Sequence, residues 1–558
     1  MHSPMRKTIK SLCGMLTLAL AFTACYDDEG NYSYHDINEV GIVIPETAVR
    51  VPREGEVTVV ITPALSQTIG ANEENLTFQW YKGPQSATRI CESSPEEVAN
   101  DPDRHKSELH RYSTDKSCTL TITPSDIESI KLLLEVTDQR EGTKWYAERI
   151  VNLVLPFSST WFVLQEQDGK GVLGAADGEG ELATIFPDVY ASEFGTTFPL
   201  EGKPLSIDAQ HNYGIGSWNY TMGIMAPSPI AVLHIMTDSD LQLVRPSTLE
   251  TTYNGRQMLL GADTGQPLAL ETYAYGNYGE VAVAQGKTWH SLIDGYAVYY
   301  TVRNPEGEQL ESKQWAEYGS NWVTFDEKKH RFLSYVYNSP DGMMTSYTST
   351  RPMRAYGRAW SDAIPKTASV PQSGEPSLTD VFDANGPELA SIEVLDFVST
   401  GTWAYAIATG GTSPLTLYEF SSSAAEPTCS GLYELSLPNG AQAADCHFAA
   451  SWGFGHILFM ATGNKVYKID LNRNNPAVSL IYEYTDDAAA TAVALKFKDM
   501  DNSTYFHDLG VAFNRADGTG TVVELRLTQA GDVNREEGST FEYTGFGTIV
   551  DLAFNHAE

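Results

Sequence analysis

The side chains best suited to chemistry in this chain are aromatic residues that lie beside polar ones. A flat aromatic ring stacks on the face of a sugar, and neighbouring polar side chains hydrogen-bond the sugar hydroxyls. Trp161, Trp322 and Trp403 open apparent strands, so the pattern predicts that they pack inside the fold. Four other positions are predicted to contact a ligand: Trp218, Tyr220, Trp289 and Trp452.

No catalytic motif accompanies these aromatic residues. The sequence lacks the Gly-x-Ser-x-Gly elbow, the His-Glu-x-x-His zinc helix, the phosphate-binding Gly-x-x-x-x-Gly-Lys loop and a dinucleotide fingerprint. A glycoside hydrolase needs two carboxylates about 5 to 10 Å apart, and 72 acidic residues offer too many pairs for the sequence to select one. We therefore predict no catalytic residues and no cofactor.

Two short segments contain side chains of the kinds that bind metals. His105 and His110 lie five residues apart in a polar, charged segment, and we predict a surface loop there rather than a metal pair. Asp499 and Asp501 have the alternate spacing of calcium ligands, but the stretch lacks the downstream glycine and glutamate of a full calcium loop. We predict a plain turn there and no metal site.

Composition excludes several classes of protein. The 558 residues carry 72 acidic and 37 basic side chains, which gives a net charge of -35 at pH 7. Binding to nucleic acid or to anionic lipid needs a basic surface, so this charge argues against both. An apolar fraction of 42% with 29 tyrosines is enough for a large core, which argues against a disordered chain.

The first 24 residues have the pattern of a signal peptide. Three basic residues precede the apolar run 12–24, which is too short to span a membrane. Residues 21–25 resemble a bacterial lipobox, although Phe22 stands where Leu is preferred, so Cys25 is the predicted lipid attachment site. Acyl chains on Cys25 would provide the protein's membrane contact. Residues 25–40 are predicted to be a tether, and their acidic start resembles the surface-export signal of Bacteroidota lipoproteins.

Four further cysteines follow Cys25. Cys91 and Cys118 are 27 residues apart, and Cys429 and Cys446 are 17 residues apart. In an oxidising compartment each pair can close a local loop. Cys91–Cys118 and Cys429–Cys446 are therefore the candidate disulfides, with free buried thiols as the alternative for each pair.

Alternating apolar and polar residues over 41–156 predict an immunoglobulin-like β-sandwich. Leu76, Phe78 and Trp80 share one face of a strand, and Trp80 is predicted to fill the sandwich core. The strand that ends in Val136-Thr137-Asp138 is followed by a hairpin, and together with the Trp80 segment it resembles a PKD-type domain.

Residues 157–558 repeat a different pattern, in which an apolar strand, a tight polar turn and an alternating strand follow one another. Seven such hairpin-like units occur at a loose spacing of roughly 57 residues, which fits propeller blades with insertions. The chain is therefore predicted to be all-β, with a seven-bladed β-propeller after the sandwich. Eight blades or a pair of sandwiches are the alternatives. The final strand 546–554 is expected to close the ring against 160–164.

Several segments, taken in order, resemble the PKD-like family of Bacteroidota lipoproteins. The resemblance covers nearly all of the chain after the signal peptide, and it implies an accessory role beside a SusC-type TonB-dependent transporter and a SusD-type lipoprotein in a nutrient-uptake system. It also implies a place at the outer membrane, facing the cell exterior. It carries no catalytic residues. The segments are 25–34, Trp80, the Val136-Thr137-Asp138 strand, 202–204, 461–467 and 546–551.

These expectations combine into one functional hypothesis with two alternatives. The chain is predicted to be a non-catalytic surface protein that captures an oligosaccharide or a peptide for the transporter. The first alternative is a structural or docking protein that binds another subunit. The second alternative is a glycoside hydrolase or lyase built on the propeller.

Overall fold

The computed structural model describes most of the chain after residue 37, and it divides into two compact units, one up to Val154 and one from Leu155. Residues 1–37, which contain the predicted signal peptide and Cys25, lie outside the described residues. No described helix is both long and apolar enough to cross a membrane. The other segments outside the description are 53–54, 70–72, 124, 127–128, 199–200, 214–217, 220–223, 226–229, 260, 264, 277–278, 292–299, 305, 307, 319–320, 337–350, 353, 356–380, 412, 422–427, 439, 473–475, 499–504, 537 and 557–558.

The described residues of the N-terminal unit form nine strands and two short α-helices. β2, β9, β8, β5 and β6 form one sheet in that order, β1 pairs with β4, and β3 pairs with β7. Helices α1 and α2 lie between β5 and β6. The elements are β1 (Val40–Val43), β2 (Thr47–Arg50), β3 (Val57–Ile61), β4 (Ala64–Gln67), β5 (Leu76–Pro84), α1 (Pro95–Asn100), α2 (Pro102–His105), β6 (His110–Ser113), β7 (Cys118–Ile122), β8 (Ile130–Asp138) and β9 (Thr143–Val154).

Trp80 occupies the core of this unit, as the alternation in β5 predicts. Its side chain is fully buried, and its indole N–H donates to the carbonyl oxygens of Asp115 (3.0 Å) and Lys116 (3.2 Å). A buried indole N–H needs such an acceptor, because leaving it unpaired would cost the desolvation of the donor. The predicted role of Trp80 as the centre of the sandwich is confirmed.

The described residues of the second unit form strands β10 to β40 and two short α-helices. Its first half contains β10 (Ser159–Gln167), β11 (Lys170–Asp177), β12 (Thr184–Phe186), α3 (Val189–Phe194), β13 (Pro204–Tyr213), β14 (Trp218–Asn219), β15 (Ile224–Met225), β16 (Ile230–Thr237), β17 (Leu241–Val244), β18 (Thr251–Asn254), α4 (Gly255–Met258), β19 (Leu270–Gly276), β20 (Gly279–Ala284), β21 (Lys287–Ser291) and β22 (Tyr300–Arg303). Its second half contains β23 (Trp315–Tyr318), β24 (Asn321–Asp326), β25 (Arg331–Val336), β26 (Arg351–Pro352), β27 (Arg354–Ala355), β28 (Glu393–Ser399), β29 (Trp403–Thr409), β30 (Leu415–Ser421), β31 (Thr428–Leu435), β32 (His447–Ala449), β33 (Ile457–Thr462), β34 (Lys465–Asp470), β35 (Ala477–Glu483), β36 (Thr491–Phe497), β37 (Asp508–Asn514), β38 (Gly520–Arg526), β39 (Thr540–Phe546) and β40 (Thr548–His556).

These strands form seven blades among the described residues. Counted from the inside outwards, blade 1 is β40-β10-β11-β12, blade 2 is β13-β16-β17-β18 and blade 3 is β19-β20-β21-β22, with β26 added in parallel at its outer edge. Blades 4 to 7 are β23-β24-β25-β27, β28-β29-β30-β31, β32-β33-β34-β35 and β36-β37-β38-β39. The innermost strands contact one another in sequence from β40 through β13, β19, β23, β28, β32 and β36 back to β40. The predicted all-β fold with a seven-bladed propeller is confirmed.

The ring closes because blade 1 takes strands from both ends of the propeller sequence. β40 pairs antiparallel with β10 from Ser159–His556 to Glu166–Thr548, so the last strand of the chain becomes the innermost strand of the first blade. The expected pairing of the final strand with residues 160–164 is confirmed. Closure of this kind covers the edge of β10 that would otherwise be open for another chain to pair with.

A buried carboxylate reinforces the joint between blades 7 and 1. Glu524 on β38 accepts a hydrogen bond from the Trp161 indole on β10 (2.9 Å) and another from the Tyr543 hydroxyl on β39 (3.1 Å). The buried Lys498 ammonium lies 2.8 Å from the other Glu524 oxygen. Trp161 is therefore an inter-blade residue, as its place at the start of a strand predicts. Trp322 on β24 is also fully buried, in a cluster with Val281 of blade 3.

Lys496 on β36 links the innermost strands of blades 7, 1 and 2, which are β36, β40 and β13. Its ammonium lies 2.6 Å from Asp208 on β13 and 2.9 Å from Asp551 on β40, and it donates to the Ile207 carbonyl at 2.7 Å. Asp551 also accepts the Ile207 backbone N–H at 2.9 Å. Although burial alone would lower it, the two carboxylates raise the pKa of Lys496 above its ordinary value, so this side chain stays charged.

We expect Lys496→Met to destabilise the propeller by about 3 kcal/mol, because it leaves two carboxylates close together without their cation. Adding Asp208→Asn to this variant should restore part of the loss, since one unpaired charge is then removed. Urea unfolding followed by tryptophan fluorescence measures both effects.

The matched control is Lys465→Met, which breaks an exposed pair with Glu483 (3.4 Å) on blade 6. That change should cost no more than about 0.5 kcal/mol. A Lys496→Met variant as stable as the Lys465→Met control would show that the contacts of Lys496 with Asp208 and Asp551 do not stabilise the closed ring.

Candidate functional site

Aromatic and histidine side chains line one rim of the propeller. In blades 2 to 7 this rim carries the connections from the innermost strand to the second strand, and in blade 1 it carries the C-terminal end of β40. We define the aromatic arc as the ring side chains on it in blades 5, 6, 7, 1 and 2: Trp403, Trp452, His456, Tyr505, Phe506, His507, His556 and His211.

Trp452 is the most exposed member of the aromatic arc. It begins the short 3₁₀ turn Trp452–Phe454 between β32 and β33, and 43% of it is accessible to solvent. Its ring lies 5.1 Å from that of Phe506, on the corresponding connection of blade 7, at an interplanar angle of 42°. An exposed indole supported by a second ring offers a firm apolar platform, because the neighbouring ring limits its motion.

Glycine is required at position 453, between the exposed Trp452 and the buried Phe454. A Cβ atom at Gly453 would overlap the Phe506 ring, so only glycine lets that ring lie across the backbone. Phe454 then points into the core, where it contacts Phe459 at 5.1 Å between ring centroids. The turn thus holds Trp452 outside and Phe454 inside with Phe506 between the blades.

Trp403, which the sequence predicts to pack inside the fold, is only partly buried against the core cluster between blades 5 and 6, and with His456 it forms a second part of the aromatic arc. Their rings are 4.2 Å apart, and His456 Nδ1 is hydrogen-bonded to Glu419 (3.0 Å) and to the Tyr405 hydroxyl (2.9 Å). Glu419 is buried on β30 and also accepts from Ser430 (2.7 Å). Although burial opposes it, the His456 and Ser430 hydrogen bonds lower the pKa of Glu419.

This Ser–Glu–His group is not arranged as a hydrolytic triad. In a triad the histidine contacts the serine that it activates, and the carboxylate holds the other side of the ring. Here Ser430 and His456 both bond to Glu419, so the carboxylate lies between them. The arrangement fixes the position of His456 on the rim and indicates a role in positioning rather than nucleophilic catalysis.

The third part of the aromatic arc continues over the closed joint. Tyr505 lies 4.9 Å from His556, the last residue of β40, and His556 stacks on His211 with 3.8 Å between centroids. Beneath Tyr505, the buried Lys498 ammonium lies 4.7 Å from the Phe554 ring centre. The rim at blades 1, 7 and 2 is therefore fixed by ring stacking and by a cation–π contact.

The structure supports the position of one predicted ligand-binding residue, contradicts another and does not describe the side chains of the remaining two. Trp452 lies in the aromatic arc. Trp218 belongs to β14, within the connection between β13 and β16 on the same rim, but its side chain is not described. Tyr220 lies outside the described residues. The predicted ligand contact of Trp289 is wrong. Trp289 lies on β21 with 1% of its surface exposed, and its indole N–H donates to the Ala284 carbonyl, so protein covers both faces of the ring.

The predicted disulfides are not formed. Cys91, Cys118, Cys429 and Cys446 are all free thiols. Cys429 packs in the core cluster between blades 4 and 5, whereas Cys446 packs against the cluster between blades 5 and 6, so the body of blade 5 separates them. Cys118 is fully buried on β7, where burial raises its pKa to about 11.

Sequence reasoning missed most of the aromatic arc and one histidine. The run Tyr505-Phe506-His507 places three consecutive ring side chains before a strand, which is a signal that could have identified it. His105, predicted to lie on a surface loop, is instead buried. The predicted turn at 499–503 falls outside the described residues. Among the residues that the structure describes, the only cluster of side chains suited to binding a metal contains His105.

Comparison with known proteins supports the N-terminal assignment. Residues 25–204 match the model of the PKD-like family, a match that covers about a third of the chain and includes the sandwich and the start of the propeller. The PKD-like part of the resemblance inferred from the sequence is confirmed over that region. No curated protein matches the chain.

Similar solved structures come from several organisms. A quinonprotein alcohol dehydrogenase-like protein from Bacteroides thetaiotaomicron is 13% identical, with a TM-score of 0.42 over 92% of this chain and 97% of that one. Apo AztD from Citrobacter koseri is 9% identical, with a TM-score of 0.35 over 86% and 98%. Hsv2 from Kluyveromyces lactis is 7% identical, with a TM-score of 0.34 over 69% and 97%. At these identities none of them assigns an activity to this chain.

Proposed function

We propose that this protein is a non-catalytic binding protein that captures an oligosaccharide on the aromatic arc of its propeller. The observation that carries the proposal is the exposed Trp452 ring, which is supported by Phe506 on the neighbouring blade. Sugar rings bury their apolar faces on such platforms, while polar groups at the margin bond the hydroxyls. His456, whose side chain is 29% exposed, is a polar group of this kind on the same rim.

The net charge narrows the class of ligand. With 72 acidic and 37 basic residues, the chain repels anionic polymers at long range. We therefore propose a neutral glycan rather than a uronic-acid or sulfated one. A peptide segment rich in aromatic or apolar side chains is the other ligand that such a platform accommodates.

The cellular setting of the proposal rests on the N-terminal sequence and on the family resemblance. Lipidation at Cys25 would anchor the protein in the outer membrane, and the acidic residues after it fit export to the cell surface. There the protein would hold a glycan close to a SusC-type transporter and its SusD-type lipoprotein. If the aromatic arc instead binds one of these proteins, no glycan will bind but a partner will co-purify.

We expect Trp452→Ala to weaken binding of a neutral polysaccharide at least 10-fold, because it removes the most exposed stacking surface. Affinity gel electrophoresis against starch, xyloglucan, mixed-linkage glucan and mannan identifies the ligand and measures the loss of retardation. Thermal unfolding of the variant should match that of the unmodified protein, since the ring is half outside the fold.

The matched control is Phe194→Ala. Phe194 ends α3 in the connection from blade 1 to blade 2 on the opposite rim, and it is 42% exposed, almost the same as Trp452. Its loss should leave polysaccharide binding unchanged. Equal effects of the two substitutions, or retention of full affinity by Trp452→Ala, would contradict a binding site on the aromatic arc.

One carboxyl group on an innermost strand of the propeller favours the alternative that the protein is a glycoside hydrolase. Asp396 on β28 follows an irregular step in the pairing with β29, and burial raises its pKa to about 7 although Lys496 and the Phe397 backbone N–H both oppose the shift. A carboxyl group that is protonated near neutral pH can serve as the general acid of a glycoside hydrolase. The binding proposal assigns Asp396 no such role and predicts an effect on stability alone.

We expect Asp396→Asn to stabilise the propeller at pH 8 and to have little effect at pH 4. A carboxyl group with a raised pKa in the folded state reduces stability as the pH rises from its ordinary value near 4 through about 7, because the unfolded chain loses the proton first. Asparagine removes this penalty, which should amount to about 1–2 kcal/mol after screening by water is allowed for. Thermal unfolding at the two pH values measures it.

The same variant separates binding from catalysis. Asp396→Asn should keep full affinity for the polysaccharide, and the unmodified protein should release no reducing sugar from it. Hydrolysis by the unmodified protein that disappears in Asp396→Asn would contradict the non-catalytic proposal and establish the enzymatic one.

A further inference from the structure

Three side chains of metal-binding types meet inside the N-terminal unit, away from the aromatic arc. They are Cys91, His105 and Glu108, which are 8%, 8% and 6% exposed. Cys91 follows the end of β5 by several residues, His105 is the last residue of α2, and Glu108 lies in the turn after it. Their ligand atoms all lie within 4.8 Å of one another.

The backbone fixes these three positions. The Cys91 N–H donates to the Leu109 carbonyl (2.8 Å), and the Leu109 N–H donates to the Arg89 carbonyl (2.9 Å). This short parallel bridge holds Cys91 beside Glu108. The Glu108 N–H donates to the His105 carbonyl (3.1 Å), which holds the other two side chains on one turn. The group is therefore organised in advance of any ligand.

The separations suit a tetrahedral zinc ion. Cys91 Sγ lies 3.6 Å from His105 Nδ1. A zinc ion with ordinary Zn–S and Zn–N bonds of about 2.3 and 2.0–2.1 Å at the tetrahedral angle separates those two atoms by about 3.6 Å. His105 Nδ1 and Glu108 Oε2 are 2.7 Å apart, as a hydrogen-bonded pair, and need to separate by about 0.6 Å to bind the same ion.

Two neighbouring side chains bond to the groups that carry the proposed ligands and so fix their positions. Arg89 pairs with the other carboxylate oxygen, Glu108 Oε1, at 2.7 Å, which leaves Oε2 for the ion. His110 is hydrogen-bonded through Nε2 to the His105 carbonyl (2.9 Å), which fixes the end of α2. Outer partners of this kind orient metal ligands and raise affinity.

We propose that Cys91, His105 and Glu108 bind a zinc ion in the N-terminal unit. A thiolate, an imidazole and a carboxylate together suit zinc, whereas calcium and magnesium prefer oxygen ligands alone. Three protein ligands leave a fourth position for water or for a group from a partner. The ion would join α2 to the bridge at Cys91 and stabilise the segment between β5 and β6.

Zinc binding is tested on the full chain, purified without a histidine tag and stripped with a chelator. Titration against a chromophoric chelator should show one zinc ion per chain with an affinity that Cys91→Ser lowers at least 100-fold. Cys118→Ser, which removes a buried cysteine of the same unit, should leave the affinity unchanged. Equal affinities in the unmodified protein and Cys91→Ser would overturn the proposal.

Cobalt substitution gives a second readout that does not depend on a folded variant. Co²⁺ bound by Cys91 should give a thiolate-to-metal charge-transfer band in the near ultraviolet and intense visible bands of tetrahedral coordination. Zinc should also protect Cys91 from alkylation, as read by mass spectrometry. A cobalt spectrum without the charge-transfer band, or alkylation of Cys91 at the same rate with and without zinc, would show that no such site exists.

Discussion

The pairing of β40 with β10 is the constraint on which the rest of the propeller depends. It brings the last strand of the chain into the first blade and completes the inner ring of strands. Lys496 then links the inner strands of blades 7, 1 and 2, and Glu524 links Trp161 of blade 1 to Tyr543 of blade 7. The ends of the propeller are thus joined by backbone pairing, by an ion cluster and by a buried hydrogen-bonded carboxylate.

Closure also fixes the rim that carries the aromatic arc. Phe506 of blade 7 supports Trp452 of blade 6, and His556 of blade 1 stacks on His211 of blade 2, so both ring pairs depend on the spacing of neighbouring blades. Side chains on loops that are held in this way lose little conformational entropy when a ligand binds. The rigid blades and the exposed Trp452 ring are therefore two parts of one arrangement.

Much of the fold follows from the sequence, and the failures have physical causes. The second and third strands of the blades were predicted because tight turns such as Gly463-Asn464 separate clearly apolar strands. The inner strands were harder to recognise because an extra residue interrupts their alternation, as at Leu395 in β28 and Val493 in β36. The predicted ligand contact of Trp289 is wrong because a strand between polar residues resembles a loop in sequence.

The candidate sites depended on contacts that sequence spacing does not report. Trp452 was found as an aromatic residue beside small and polar ones, but its support by Phe506 comes from the next blade, 54 residues later. Distance along the chain pairs Cys91 with Cys118, whereas a backbone bridge to Leu109 places Cys91 against His105 and Glu108. Both sites are set by pairing between segments, which composition and periodicity leave open.

The most direct test of the account is hydrogen–deuterium exchange of the full chain with and without the neutral polysaccharide that the electrophoresis identifies. A ligand on the aromatic arc should slow exchange in the peptides that contain residues 452–456 and 505–507. The opposite rim, at residues 188–195 around α3, should exchange at the same rate in both samples. Protection confined to the opposite rim, or no protection in either place, would contradict a binding site on the aromatic arc.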